Sequence, residues 1–262
     1  MDALFGVDAS FPTRPFITPP VAMTDLNYAG EDDDPTLPDD QLEIYFTSNR
    51  SGAGDIYRSV RPSTTAGWSV PVAVTELTTA AIELTPEISA DGLTLYFARD
   101  TGTLDIHVST RATRTSPWSP PTLVSELSTA LNDDSAVISP DGLVILVTRY
   151  ETSAPASLWI ATRPTPTSSW GAPVRATDLD AAGVEPNQAW LGERVVFYTA
   201  NALPVSQEPR AALRTGPTSF GPPTPILELD LPGPQSDPWL SSDLGTIYFE
   251  SEDDLYMTTR AP

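Results

Sequence analysis

Short apolar runs recur along this chain at nearly even intervals, and none carries the three-to-four residue spacing of an amphipathic helix. Residues 42–46 read LEIYF, 93–97 LTLYF, 144–147 VILV, 195–198 VVFY and 246–249 TIYF. Behind each follows a mixed run ending in arginine: DIYRSVR, DIHVSTR, SLWIATR, EPRAALR and DLYMTTR, closing at Arg61, Arg111, Arg163, Arg214 and Arg260. A third element begins at an aromatic residue and ends in acid-Leu: GWSVPVAVTEL, PWSPPTLVSEL, SWGAPVRATDL and SFGPPTPILEL, closing at Leu77, Leu127, Leu179 and Leu229. The runs are rich in β-branched and aromatic residues and are punctuated by Asp-Gly, Pro and Ser, so they predict strands joined by tight turns.

The anchors Trp68, Trp118, Trp170 and Phe220 stand 50, 52 and 50 residues apart. A four-stranded repeat of roughly 40–50 residues that cannot bury its faces alone predicts a β-propeller blade. Five copies are present. The last one stops after its third strand, whereas RPFITPPVAMTDL at 14–26 matches the missing fourth, with Phe16 in the tryptophan's place. The expected architecture is therefore all-β: one domain over 1–262, a five-bladed propeller of four antiparallel strands per blade. Its blades fall at about 27–77, 78–127, 128–179, 180–229, and 230–262 plus 14–26, with the N-terminal strand closing the ring.

Composition narrows the chemistry. Acids outnumber cations 35 to 14, for a net charge of −21; every cation is arginine, and there is one histidine and no cysteine. Lysine Schiff bases, thiol nucleophiles, disulfides and His/Cys metal sites are excluded, and the charge repels phosphate backbones, so no nucleic-acid partner is expected. No apolar run approaches the roughly 18 residues that span a bilayer, so membrane insertion is not expected either. The first ten residues lack the basic and apolar regions of a signal peptide, and an exported form would carry its leader ahead of Met1.

Residues repeated in every copy are expected to serve what all blades share. Phe16, Trp68, Trp118, Trp170 and Phe220 read as wedges between sheets. The recurring arginines, with Asp25, Glu76, Glu126, Asp178 and Glu228, suggest ion pairs that tie strands together. Asp91-Gly92 and Asp141-Gly142 are hairpin turns, and His107 fills a slot that is Tyr, Trp or Arg in the other copies, a packing position rather than a base. Candidate function lies where the copies differ. Three residues before the proline of the inner strand, or its equivalent, stand Asp32, Glu83, Asp133, Glu185 and Gln235. One residue before it stand Asp34, Thr85, Ser135, Asn187 and Asp237. In an extended strand, positions two apart point the same way, which predicts two stacked rings of oxygen ligands at the channel mouth.

Converging carboxylates need compensation. One solution is a calcium ion held by Asp32, Glu83, Asp133 and Glu185, with Asp34, Thr85, Ser135, Asn187 and Asp237 facing a ligand. Another is backbone N–H donation from neighbouring inner strands. A third is a glycoside hydrolase drawing its acid and base from Asp34, Glu83, Asp133, Glu185 and Asp237, which requires carboxyls about 5–5.5 Å or 6.5–9.5 Å apart. The acidic stretch 31–34 with Asp39-Asp40 lacks the spacing of an EF-hand loop, and ESEDD at 250–254 reads as a hairpin tip.

Blade 2, with Glu-x-x-Pro, Asp-Gly, an aromatic strand and DIHVSTR, resembles the bacterial TolB-type propeller repeats; the likeness covers about 28–260 and weakens where AWLGE at 189–193 replaces the Ser-Pro-Asp-Gly turn. This resemblance implies an extracytoplasmic propeller built of non-catalytic repeats that binds something, and it does not name the ligand. The leading expectation is a monomeric, non-catalytic binding module that presents its channel mouth to a polar small molecule, a glycan or a protein loop.

Overall fold

The computed structural model describes residues 19–151, 156–180, 184–202, 207–226 and 235–260, with backbone alone for 184–188, 201–202, 207–208 and 235. Strand β1 (Val21–Ala22) stands apart from the first blade, which is formed by β2 (Asp32–Thr36), β3 (Glu43–Ser48), β4 (Asp55–Val60) and β5 (Val72–Ala73). Blade 2 holds β6 (Glu83–Ile88), β7 (Thr94–Asp100), β8 (Leu104–Thr110) and β9 (Thr122–Leu123); blade 3 holds β10 (Asn132–Ile138), β11 (Val144–Tyr150), β12 (Ser157–Thr162) and β13 (Val174–Arg175). Blade 4 comprises β14 (Val184–Leu191), β15 (Val195–Ala202), β16 (Gln207–Leu213) and β17 (Thr224–Pro225). Blade 5 comprises β18 (Gln235–Leu240), β19 (Thr246–Ser251), β20 (Asp254–Thr259) and, as its outermost strand, β1. Val21 pairs with Met257 and Ala22 with Tyr256, all antiparallel. The fold is the five-bladed propeller the repeats predict, and its ring is closed by an N-terminal strand. Phe16 and the rest of 14–18 lie outside the described residues.

The unbroken apolar runs are explained by this arrangement. Blades stack face to face, so a second strand such as β3 is buried at all six positions and has no solvent face to alternate toward. Apolar clusters fill the spaces between blades: Tyr45, Ile56, Leu77 and Leu95 pack with Trp118 between blades 1 and 2, and Tyr96, Ala136, Ile145 and Trp170 between blades 2 and 3. Trp118 meets Tyr45 edge-on at 6.0 Å, and Trp170 meets Tyr96 at 6.4 Å. The aromatic anchors are therefore wedges.

The recurring arginines do something other than the expected pairing. Four of the five donate Nε or a terminal nitrogen to a carbonyl of their own blade's inner hairpin: Arg61 to Gln41 at 2.8 Å, Arg111 to Gly92 at 2.8 Å, Arg163 to Gly142 at 2.7 Å and Arg214 to Gly192 at 2.8 Å. Three lie over the wedge tryptophans, at 4.2, 4.6 and 4.1 Å for Trp68, Trp118 and Trp170. Two of the recurring acids cap backbone instead: Asp25 accepts from the Trp68 N–H and Asp178 from the Phe220 N–H, each joining one blade to the next. The arginines also reach the preceding blade, Arg61 donating to Tyr248 Oη at 3.1 Å, Arg111 to Glu43 at 2.9 Å and Arg163 to Tyr96 Oη at 3.3 Å, so both groups tie blades together by separate contacts.

The turns follow their residues. Gly92 and Gly142 sit at φ +72° and +69°, where a side chain is strained, and Asp91 and Asp141 each accept from the backbone N–H two residues on. ESEDD forms the β19–β20 tip, with Glu252 and Asp253 both at positive φ. His107 is buried, stacks on Phe97 at 5.8 Å and holds Asp105 O with Nδ1 at 3.0 Å, which is a structural role. No helix among the described residues is long and apolar enough to cross a membrane.

Candidate functional site at the channel mouth

Inner strands β2, β6, β10, β14 and β18 line the channel, and each carries a bulge. In blades 1, 2 and 5 the residue before the proline adopts a left-handed backbone: φ is +54° at Asp34, +50° at Thr85 and +51° at Asp237. Proline ordinarily holds its predecessor extended, and the expectation of strict alternation rests on that rule. The bulge breaks it. The two expected rings consequently separate, one turning into the blades and the other into the channel.

Asp32, Glu83 and Asp133 are fully buried away from the channel and already have counter-charges. Asp32 pairs with Arg50 at 2.5 Å, Glu83 with Arg99 at 2.8 Å and Asp133 with Arg149 at 2.6 Å. Each also accepts a backbone N–H from the loop entering its own strand, donated by Tyr28, Thr79 and Thr129. The same guanidinium groups donate onward to the carbonyls of Leu26, Leu77 and Leu127 in the preceding blade. The expected calcium set is thus not assembled by these acids, whose charge is met by arginine, and Glu83 and Asp133 are not free as catalytic groups. In blades 4 and 5 the register sets Glu185 opposite Asn201 and Gln235 opposite Ser251, where blades 2 and 3 set Arg99 and Arg149. The side chains of Glu185 and Asn187 fall outside the described set.

Asp34, Thr85, Ser135 and Asp237 do converge, around a narrow part of the channel with about 30 Å³ of free volume, room for roughly two waters. Two neighbours join them: Asp33, which the sequence reading met only as part of the acidic stretch 31–34, and Asp134, which it passed over. Oxygens of Asp33, Asp34 and Asp237 all lie within 4.8 Å of one another. Asp34 Oδ2 accepts from Thr47 Oγ1 at 2.7 Å and from the Thr85 N–H at 3.1 Å, Asp33 Oδ1 accepts from the Asp34 N–H at 2.9 Å, and Thr85 Oγ1 donates to Asp134 at 3.3 Å. The doublets Asp33-Asp34 and Asp133-Asp134 were the available signal: in an alternating strand half of each faces away, but a bulge can turn both members usefully.

Because protein rather than bulk water surrounds these carboxyls, burial pushes their proton affinities up and close like charges add to it. Asp33 rises to about 7, by desolvation and then the charge of Asp34; Asp34 rises to about 6, by desolvation and then Asp134. Asp134 rises to about 6 by desolvation, and Asp237 is raised well above its ordinary 3.8 by desolvation and then by Asp34 and Asp33. Deeper in the wall, Glu87 bridges blades 1 and 3 by accepting from Thr36 Oγ1 at 2.9 Å and the Ile138 N–H at 3.3 Å; desolvation lifts it to about 8. At the opposite end the channel widens to a cavity of about 230 Å³ walled by Trp190, Trp239, Leu37 and Ile88.

Neither a family model nor a curated protein sequence matches the chain. Solved structures do share its fold. The α-L-arabinofuranosidase PaAbf62A from Podospora anserina, in complex with cellotriose, aligns with TM-score 0.59 at 10% identity over 95% of both chains. The endo-arabinase from Bacteroides thetaiotaomicron aligns with TM-score 0.58 at 12% identity over 89% of this chain and 95% of that one. TolB from Acinetobacter baumannii aligns with TM-score 0.54 at 16% identity over 90% of this chain, which spans 56% of that protein. At such identities the likeness is one of fold. The chain is a five-bladed propeller of the architecture that both glycoside hydrolases and TolB use.

Proposed function

We propose that the working surface is the acidic end of the channel and that its ligand is a hydroxyl-rich molecule of the glycan class. The observation that carries this is the convergence of Asp33, Asp34, Asp134 and Asp237 from blades 1, 3 and 5, with Thr85 and Ser135 between them. Carboxyls that give up protons near neutrality offer both O–H donors and ionised acceptors, which is what a polyol's alternating hydroxyls require. The narrow channel keeps a sugar ring outside, so the ligand rests on the mouth. An extracytoplasmic setting, as the TolB-type resemblance implies, is one in which glycans are met.

A second reading is that the mouth also hydrolyses the glycan. It is supported by the same mixed protonation, which acid–base catalysis needs, and by the fold shared with arabinose- and arabinan-active hydrolases. Its acid and base would be drawn from the trio and from Asp134, which lies close enough to Asp33 and Asp34 for their charges to interact.

A panel of arabinan, arabinoxylan and xylan oligosaccharides tests both readings by calorimetric binding and by product release. Saturable binding without product, weakened at least tenfold in Asp34→Asn and Asp134→Asn, is the expected result. Product release lost in Asp134→Asn moves the assignment to the hydrolase. Unchanged binding in both variants, or no binding and no turnover across the panel, overturns the glycan reading.

A further inference from the structure

Unlike Asp32, Glu83 and Asp133, the three carboxylates of the trio have no cation of their own among the described residues. Arg50, Arg99 and Arg149 are engaged by Asp32, Glu83 and Asp133. The donors that reach the trio are neutral: the Thr47 hydroxyl and the backbone N–H groups of Asp34 and Thr85, besides a hydrogen bond that Asp33 and Asp237 share with each other. Asp237 is the clearest case. It is 8% exposed, and its buried Oδ2 receives no hydrogen bond at all. An ionised oxygen in that position is costly unless something positive stands beside it.

The spacing says what that could be. Oxygens bound to one calcium ion are separated by at most about 4.6–5.2 Å, twice the usual Ca–O distance. The trio's oxygens lie within 4.8 Å of one another. All donors here are oxygens, matching a hard cation and not a softer metal that prefers nitrogen or sulfur. The adjoining channel has space for roughly two waters, and second oxygens of the same carboxylates, bound bidentate, bring the set to six or more. We propose that Asp33, Asp34 and Asp237 form a calcium site that joins blade 1 to blade 5 at the channel mouth. This inference goes beyond the glycan reading and stands without it. It differs from the set expected from sequence spacing, sharing none of those four acids.

The site works at the ring's seam. Asp33 and Asp34 belong to the first blade, while Asp237 belongs to the blade completed by the N-terminal strand β1. An ion there would bind the folded ring and not the open chain, so its binding energy adds to the stability of closure.

The test uses the whole chain stripped of metal by chelator at pH 7.5. Added calcium is expected to raise the melting temperature by roughly 5–10 °C at a hundredfold excess over its Kd. Asp237→Asn and Asp34→Asn are expected to remain folded and to lose that rise, whereas Asp243→Asn, in a turn at the far end of blade 5, keeps it. Because a variant could fail to fold, terbium is titrated into the unmodified chain as well, and saturable tryptophan-sensitised emission displaced by calcium is expected. A melting temperature indifferent to calcium together with no displaceable terbium signal overturns the proposal. So does a full calcium response retained in both trio variants.

Discussion

Replacing Arg149 by alanine is expected to lower folding stability by about 3–5 kcal/mol, the cost of leaving a buried charge without its partner. Asp133 is 0% exposed and accepts from Arg149 Nε at 2.6 Å. The arginine's other branch holds the Leu127 carbonyl of the preceding blade, so its loss also loosens the contact between blades 2 and 3. Adding Asp133→Asn to Arg149→Ala removes the stranded charge and should restore part of the loss. Denaturant unfolding of the two variants measures both steps. A stability close to the parent's in Arg149→Ala would mean that Asp133 does not depend on the guanidinium, contrary to the separation of the two acid rings.

Stability is also expected to fall as pH rises from about 5 to 8.5 in cation-free buffer. The sign follows from protons. Asp33, Asp34, Asp134 and Glu87 keep theirs in the folded state up to about 7, 6, 6 and 8, while in the unfolded chain they lose them near 3.8 and 4.5. The folded state therefore binds more protons between those limits. Its advantage is complete below the unfolded values and is lost as pH climbs through the folded ones. Each excess proton contributes a slope of about 1.4 kcal/mol per pH unit. Glu87→Gln should remove about one proton's worth of slope between roughly pH 4.5 and 8, which distinguishes this residue from the general repulsion of a chain with net charge −21. Unfolding curves at four or five pH values suffice. A stability that rises with pH over this range, or a Glu87→Gln slope equal to the parent's, would contradict the burial argument.

Much of the fold was legible because it is written five times. The tryptophan spacing, the Asp-Gly turns and the unmatched strand at 14–26 are local signals that repetition makes unmistakable, and ring closure by Val21–Ala22 follows from counting strands. The site was legible only in part. Sequence spacing correctly brought Asp34, Thr85, Ser135 and Asp237 to one channel, yet it put Asp32, Glu83 and Asp133 beside them. The failure has one physical source, the bulge in each inner strand, which falls before proline in blades 1, 2 and 5 and before Ala136 in blade 3. There, tertiary constraint overrides the extended preference of Asp34, Thr85 and Asp237 and turns successive residues out of strict alternation. Arg99 and Arg149 could be matched to their acids only through cross-strand register, and Arg50 reaches Asp32 from beyond the end of β3, a contact that no spacing rule supplies. The left-handed backbone at three non-glycine residues is itself strained, and such strain gathers where a site demands a particular side-chain direction.

The most direct test of the account is diffraction from crystals grown with millimolar calcium. The account predicts one strong peak at the mouth, within about 2.3–2.6 Å of oxygens from Asp33, Asp34 and Asp237, with Asp32, Glu83 and Asp133 still held by their arginines. A mouth that contains only water, or an ion bound instead by Asp32, Glu83 and Asp133, would contradict it.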